Sequence, residues 1–404
     1  MTPADRSPLR RWLPDWRLAL VALAAVAPAA ALQLPRFTPP PLEGEVAGRF
    51  APGLFPGAPE IDWRATVSRT GERRRWQAAL SAPGLRLHVT AELDPQGDGE
   101  WSAELEEVDL AAWLPAVQPL LTRDLAALTL AGQLHGTARG SLAAGRLSGH
   151  ANLRLRAGQI GYPPAKARLE GVNADLTGVE LDTLGAPPGQ SLTWSRSRID
   201  VLETGPGRLE FGLVGKELRI ARGEVALLGG ELALSNTAVA LDRPQLQVEA
   251  EARGLDLARI VALLPPVVAA ASGRLDGRLS VRREAGGFQL GTGRLALREG
   301  ESAEVRLAPS PGLLSGQLPE LVRRHYPGLV QLEAGGVPLV ARELEIRLTP
   351  EGDAEGRTAR VHLKGGPADP ALRAPVELEV NVRGPLDSLV QFSTHHRVRF
   401  GAER

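Results

Sequence analysis

The 404-residue sequence contains no cysteine and one methionine, and aromatic residues make up only 4% of it. The lack of cysteine excludes disulfides, thiolate metal ligands and thiol nucleophiles, and it is compatible with any redox compartment. Because Phe, Tyr and Trp each bury a large area, a chain with so few of them lacks the usual anchors of a globular core. The composition predicts instead a smooth apolar wall of Leu, Val and Ala.

No charge of one sign predominates in the chain. The 47 basic side chains are matched by 47 acidic ones, which gives a formal net charge of zero. A strongly basic field that would attract nucleic acid is therefore absent. We expect no nucleic-acid partner.

Patterns that carry chemistry are also lacking. No histidine shows the i, i+4 spacing with a glutamate that a helical zinc site needs, and no serine stands in a nucleophile elbow. The stretch Gly291-Thr-Gly293-Arg-Leu-Ala296 has the outline of a dinucleotide fingerprint, but the residues after it alternate like a strand rather than a helix. We predict no catalytic residue, no metal site and no cofactor, so the chain is not expected to be an enzyme.

Turn-forming residues and alternating strands are abundant. The chain has 45 glycines and 33 prolines, and from Ile61 onward aliphatic residues alternate with charged or polar ones, as in Leu344 to Leu348 and Val376 to Arg383. Period-two alternation between glycine-rich turns is typical of antiparallel strands with one apolar face. The pattern predicts a mainly β fold, a long antiparallel meander of roughly twenty strands.

Helices are predicted to be few and short. Asp109 and Asp256 are candidate N-caps for Leu110 to Leu114 and for Leu257 to Leu264, and Pro319 opens a turn or two that runs through Tyr326. These helices cannot cover the sheet. Its aliphatic face therefore needs a second sheet, curvature onto itself, or a ligand with apolar chains.

The chain repeats one unit. Val108-Asp-Leu-Ala111 corresponds to Leu255-Asp-Leu-Ala258, and Gly132-Gln-Leu-His-Gly136 corresponds to Gly273-Arg-Leu-Asp-Gly277. Repeated supersecondary units usually stack into a continuous elongated surface. The repeat favours an elongated, curved sheet, on the order of 100 Å long at the usual strand spacing, with an open apolar groove.

The N-terminus has the pattern of an export signal. Residues 1–17 carry a basic excess, and residues 18–34, LALVALAAVAPAAALQL, carry no charge. The positive-inside rule places residues 1–17 in the cytoplasm and makes residues 18–34 a membrane helix that acts as a signal anchor, with a cleaved signal peptide or a buried terminal helix as the alternatives. Residues 35–60 are rich in Pro and Gly and predict a linker.

The sequence resembles the AsmA-like superfamily, and within it the YdbH-like branch. The resemblance rests on Pro309 to Gly316, on His325-Tyr326 with Leu329, on the strand Leu344 to Leu348, and on Leu363 to Pro370 followed by Pro375 to Leu386; Asp369-Pro370 stands where the branch usually has Asn-Pro. It also covers the two Gly-x-Leu-x-Gly units. It implies that residues 61–404 form an AsmA/YdbH-like repeat β-groove domain.

The resemblance further implies a function and a location. Such proteins are anchored in the inner membrane of diderm bacteria and carry phospholipid between the inner and outer membranes. The bulk of this chain would then lie in the periplasm, either tethered by the N-terminal anchor or free if the signal is cleaved. Its implied partners are phospholipid, the inner membrane, and an acceptor protein in the periplasm or outer membrane.

The aliphatic strand positions are the candidate lining of a lipid groove. They are Leu153, Leu155, Leu295, Leu297, Val305, Leu307, Leu344, Ile346, Val376, Leu378 and Val380. The alternative is that these side chains form a dry core, in which case the protein would be a non-catalytic envelope scaffold or assembly factor with a closed β core.

Overall fold

The chain forms a mainly β structure with few helices, as predicted. The computed structural model describes residues 43–50, 59–118, 127–183, 185–199, 202–215, 217–240, 246–262, 268–284, 287–316, 319–372 and 374–383. Strands make up 69% of it, and the strand pairings with a defined register are antiparallel. The predicted basic segment and membrane helix lie outside the described residues, and no helix within the described ranges is long and apolar enough to cross a membrane.

The strands and helices follow one another in this order: β1 Gly44–Phe50, β2 Ile61–Thr70, β3 Arg73–Ala82, β4 Leu85–Leu93, β5 Gly99–Asp109, α1 Leu110–Val117, β6 Thr129–Ala143, β7 Arg146–Tyr162, β8 Ala167–Glu180, β9 Ala186–Trp194, β10 Arg196–Ile199, β11 Leu202–Thr204, β12 Gly207–Val214, β13 Glu217–Leu227, β14 Gly230–Ala240, β15 Leu246–Asp256, α2 Leu257–Val261, β16 Val268–Ser272, β17 Arg274–Glu284, β18 Gly287–Leu297, β19 Ala303–Leu307, α3 Glu320–His325, α4 Pro327–Glu333, β20 Leu339–Leu348, β21 Arg357–Pro367 and β22 Val376–Arg383.

The chain divides into two compact units. Among the described residues, the first comprises those within 43–164, 168–195 and 210–219, and the second comprises those within 165–167, 196–209 and 220–383. The sequence predicted a single repeat domain over residues 61–404. An Asp-capped short helix recurs in both units, and each unit is held together by contacts among its own residues.

Seven successive strands of the first unit form a meander. Each of β1 to β6 pairs with the next strand in antiparallel order. Strand β1 falls inside the span predicted as linker. It pairs with β2 from Gly44 opposite Val67 to Phe50 opposite Ile61, and its Val46 and Phe50 continue the apolar phase of β2. Glycine and proline in the surrounding stretch masked that short alternating run.

The repeated sequence motif has a structural counterpart in each unit. Asp109 ends β5 and its carboxylate accepts a hydrogen bond from the Ala111 backbone N–H at 2.9 Å, which starts α1. Asp256 ends β15 and caps α2 through the Ala258 N–H at 2.9 Å. Both predicted N-caps are therefore confirmed. An N-cap of this kind satisfies one of the free N–H groups of a helix start.

Glycines of the Gly-x-Leu-x-Gly motif serve two different purposes. Gly132 and Gly273 have φ of +125° and +132°, which favour glycine. Gly136 and Gly277 are instead points of close approach: a Cβ on Gly136 would lie 2.8 Å from the Asn152 carbonyl oxygen, and one on Gly277 would overlap the Arg294 carbonyl. The leucine between each pair, Leu134 or Leu275, is buried.

The second unit contains a further antiparallel array. Strand β17 lies between β15 and β18, and β18 pairs with the second half of β20, which is followed by β21 and β22. The first half of β20 pairs with β19, and β19 pairs with β16. Within the described residues, β22 pairs only with β21.

A helical segment, defined here as residues 309–316 and 319–334, joins β19 to β20. Its buried Glu333 accepts hydrogen bonds from the Leu314 N–H at 3.0 Å, the Ser315 N–H at 3.0 Å and the Ser315 hydroxyl at 2.6 Å. Burial alone would raise the pKa of Glu333, but these bonds outweigh it and hold the pKa below its ordinary value. An ionised carboxylate therefore fixes the start of the segment to its end.

We expect Gly277→Ala to destabilise the second unit by about 2 kcal/mol or more, because the new methyl group overlaps backbone that must then shift. The matched control is Gly336→Ala, where the nearest atom to a new Cβ is the Gln331 carbonyl oxygen at an ordinary 3.5 Å. Urea unfolding measures both. Equal losses in the two variants would contradict the close approach.

Glu333→Gln should lower the free energy of unfolding at neutral pH by about 2 kcal/mol, since an amide provides one acceptor oxygen where the carboxylate provides two. The folded pKa is lowered, so the stabilisation is present above the ordinary carboxyl pKa of 4.5 and is lost as the pH falls through the folded pKa. The difference between wild type and variant should therefore shrink in acid. A difference independent of pH would show that the charge is not responsible.

Candidate functional site

The apolar face of the first unit carries a row of small side chains that runs across all seven strands. Cross-strand register places its members directly opposite one another. This alanine row consists of Val46, Ala65, Ala78, Val89, Ala103, Ala138 and Ala151. At roughly 4.8 Å per strand, six intervals span about 29 Å.

Two further rows flank the alanine row, and on strands β2 to β5 most of their members are larger than alanine. One flanking row contains Trp63, Leu80, Leu87, Leu105, Gly136 and Leu153, and the other contains Val67, Trp76, Ala91, Trp101, Gly140 and Gly149. Since an alanine side chain is a single methyl group, the row is low between the leucine and tryptophan neighbours of β3 and β5, which makes it the floor of a shallow trough there; Gly140 and Gly149 give no border on one side at β6 and β7. The trough crosses the strands.

Burial differs along and beside the trough. A cluster that includes Leu80, Leu87 and Trp113 of α1 packs at one side, and a cluster around Leu93 and Trp101 packs at the other. Between them, four positions of the row are only half-buried: Ala65, Ala78, Val89 and Ala103. Val46 at the β1 end is 49% exposed, whereas Ala151 at the β7 end is 1% exposed. The floor is thus accessible from the β1 end and closed near β7.

The opposite face of the same strands is charged. Arg64 contacts Glu45 at 3.0 Å, Arg86 contacts Glu107 at 2.9 Å, and these side chains are largely exposed. His88 on this face pairs with Glu106 at 3.2 Å, and on a strand of the second unit His362 pairs with Glu377 at 3.0 Å. The bond from His362 holds the pKa of Glu377 below its ordinary value. Exposed ion pairs of this kind contribute little to the free energy of unfolding, but their charges favour exposure of this face to solvent.

The second unit has an apolar face that is closed over part of its area. Leu257 of α2 and Leu332 of α4 pack with strand residues in one buried cluster. Further along the strands, Ile346, Val361 and Val380 lie opposite one another in a half-buried row. The helices therefore cover one end of this face and leave the other partly accessible.

The structure divides the eleven predicted lining residues into two groups. Five are buried in the core of the second unit, at 5 to 7% exposure: Leu295, Val305, Leu307, Leu344 and Val376. Six are half-buried: Leu153, Leu155, Leu297, Ile346, Leu378 and Val380. Strand pairing brings Leu295 opposite Ile346, while Leu153 and Leu155 belong to the first unit. A lining role for the half-buried group stays a prediction.

Sequence reasoning missed the alanine row and its tryptophan border. The signal was present as Trp76-x-Ala78-x-Leu80 in β3 and Trp101-x-Ala103-x-Leu105 in β5, two strands that run in the same direction. The expected smooth aliphatic wall is not what the first unit has, because tryptophans stand on both sides of the floor. Because aromatic residues are few in the chain overall, the concentration of tryptophans on one face of the first unit was not recognised from the sequence.

The described residues contain no group of three or more His, Asp or Glu side chains arranged to hold a metal ion. The Gly291-Thr-Gly293 stretch lies within strand β18, so it does not form a phosphate-binding turn. The long apolar row on a sheet with a charged reverse face is therefore the candidate site.

Comparison with known families gives one match. The model of the YdbH-like family, described as intermembrane phospholipid transport protein YdbH, matches residues 11–322. The chain belongs to the YdbH-like family. No curated protein and no solved structure matches it. The alanine row and both Asp-capped units lie within the region matched to the YdbH-like family, whereas the motifs from Leu344 to Leu386 lie beyond it.

We expect Leu344→Asp and Ile346→Asp to differ sharply, although both side chains lie on the same face of β20. Leu344 is 5% exposed within the core, so a carboxylate there should prevent folding or cost several kcal/mol. Ile346 is half-buried and should tolerate the charge at a smaller cost. Urea unfolding of the two variants locates the boundary between closed core and accessible face, and equal costs would place both residues in the core.

Proposed function

We propose that this YdbH-like protein transfers phospholipid between membranes by carrying acyl chains along the apolar face of its sheet. The alanine row carries the proposal, because it is an apolar strip in which Ala65, Ala78, Val89 and Ala103 are only half-buried. The family match supports phospholipid as the cargo. The half-buried row of Ile346, Val361 and Val380 is a second stretch of the same kind.

The physical need for such a strip is large. Exposing an acyl chain to water costs about 0.8 kcal/mol per methylene, or on the order of 13 kcal/mol for a chain of sixteen carbons. An apolar trough removes most of that cost while the headgroup stays in solvent. Transfer through water then no longer requires the whole chain to be hydrated.

The chemistry of the floor suits movement better than tight binding. Methyl and isopropyl groups at Ala65, Ala78, Val89 and Ala103 offer no directional contact to an acyl chain. A nearly uniform apolar floor gives similar contact energy at each position, so a lipid can enter and still leave. The bordering tryptophans confine the chain sideways, since large rings contribute much contact area.

The proposal places the protein in the cell envelope. Residues 18–34 would anchor the chain in the inner membrane with its bulk in the periplasm, and an acceptor in the periplasm or outer membrane would receive the lipid. The apolar run and basic flank of the N-terminus support this arrangement.

A non-catalytic envelope scaffold is the second candidate. The burial of Leu295, Val305 and Leu344 supports it, because side chains packed within a hydrophobic cluster leave little surface for a ligand. A scaffold would need no cargo. The two candidates therefore differ in whether the purified protein holds lipid.

The test exploits two adjacent alanines that face opposite sides of β3. Ala78 lies in the alanine row, whereas Ala79 lies on the polar face between Arg64 and His88, and both are half-buried. Ala78→Phe should block the floor and lower the phospholipid bound to the purified full-length protein several-fold, as measured by mass spectrometry. Ala79→Phe is the matched control and should leave the lipid content unchanged.

Thermal unfolding of both variants shows whether either is misfolded. Lipid-free wild-type protein would overturn the transfer proposal and leave the scaffold. Equal lipid content in two folded variants would show that the cargo does not occupy the alanine row.

A further inference from the structure

Exposed aliphatic side chains are concentrated in the helical segment of the second unit. Among the described residues, five large apolar side chains are well exposed, and three of them lie in this segment: Leu313 at 48%, Leu321 at 82% and Val330 at 46%. The other two, Val46 and Val214, lie on strands of the first unit. Scattered exposed leucines are ordinary, but three of five such side chains within one short segment single it out as a candidate interaction surface.

The inward side of the segment is firmly held. Leu332 is 1% exposed, and Leu314 and Leu329 pack against the same cluster. The hydrogen bonds of Glu333 to Leu314 and Ser315 tie the two ends of the segment together. Since the inward positions are filled, the exposed side chains cannot simply turn into the core.

The polar side chains of the segment include an arginine, a histidine and a tyrosine, beside the exposed Glu320. Arg324 has an 80% exposed side chain and contacts Glu320 at 3.3 Å. His325 is exposed, and its ring lies 5.8 Å from that of Tyr326 in an edge-on arrangement. Aliphatic, aromatic and arginine side chains together are typical of segments at a membrane interface, where arginine reaches the headgroups and tyrosine remains at their level.

We infer that the helical segment contacts the surface of a bilayer that contains anionic lipids. Leu321, with Leu313 and Val330, enters the boundary between headgroups and acyl chains, and Arg324 faces the phosphates. The helices α3 and α4 have six and seven residues, so the contact is small and reversible. This inference goes beyond the proposed transfer of acyl chains along the alanine row, because it concerns other residues and the way in which the second unit contacts a membrane.

The absence of cysteine makes a local test direct. Single variants Leu313→Cys, Leu321→Cys and Val330→Cys of the full-length chain are labelled with an environment-sensitive fluorophore and reconstituted. They are then mixed with vesicles of phosphatidylcholine and phosphatidylglycerol that contain a nitroxide-labelled lipid. Val214→Cys is the matched control, since Val214 is 52% exposed on β12. We expect a blue shift and quenching at position 321, with smaller effects at 313 and 330 and none at 214.

Two further variants, assayed with the label at position 321, separate the apolar and charged contributions. Leu313→Asp combined with Val330→Asp should weaken the vesicle response about tenfold or more, because burial of two aliphatic side chains is lost. Arg324→Glu should weaken the response to phosphatidylglycerol vesicles and have little effect with phosphatidylcholine alone.

Three results would overturn the inference. They are an unchanged probe at position 321, an equal response at position 214, and a response that depends on protein concentration without vesicles, which would indicate a second copy of the chain. Mass spectrometry of the same preparations reports bound phospholipid. If the protein carries phospholipid but the probe at position 321 does not respond to vesicles, only the inferred contact with the bilayer is overturned. If the protein carries no phospholipid but the probe responds, only the proposed lipid transfer is overturned.

Discussion

Strand register is the constraint on which both faces of this molecule depend. Side chains alternate with a period of two, so a slip of one residue in the pairing of β3 with its neighbours would move Ala78 to the charged face and Ala79 to the apolar one. The register is set locally by the turns, the β-bulges and the Asp-capped helix starts. The alanine row exists only because six successive pairings keep the same phase.

The two units end a strand and begin a helix in the same way. In each, a strand loses its register near its end, a capping aspartate stops it, and a short helix packs over one end of the apolar face. The close approach at Gly136 and Gly277 then lets neighbouring strands come together beside a leucine. The helix therefore covers one end of the face, and within the described residues positions further along, such as Ala78 and Ile346, remain half-buried. In the proposed function, a ligand with apolar chains would make further contacts at those half-buried positions.

Much of this architecture follows from local sequence. Alternation predicted the antiparallel strands, and Asp109 and Asp256 predicted two helix starts correctly. Burial did not follow from alternation, because Leu344 and Ile346 have the same phase and differ only in what packs over them. The alanine row could not be found by searching for large aliphatic residues, since its distinguishing property is small size. Strand β1 was missed because its seven residues lie among prolines and glycines.

The charged reverse face has a consequence for how the protein behaves among its neighbours. Arg64, Arg86 and Arg294 each contact a carboxylate, at 3.0, 2.9 and 2.7 Å. Positive and negative groups alternate over short distances, so their fields largely cancel beyond a Debye length of about 8 Å at physiological ionic strength. Polyanions in the surroundings would thus have little electrostatic attraction to this face of the sheet.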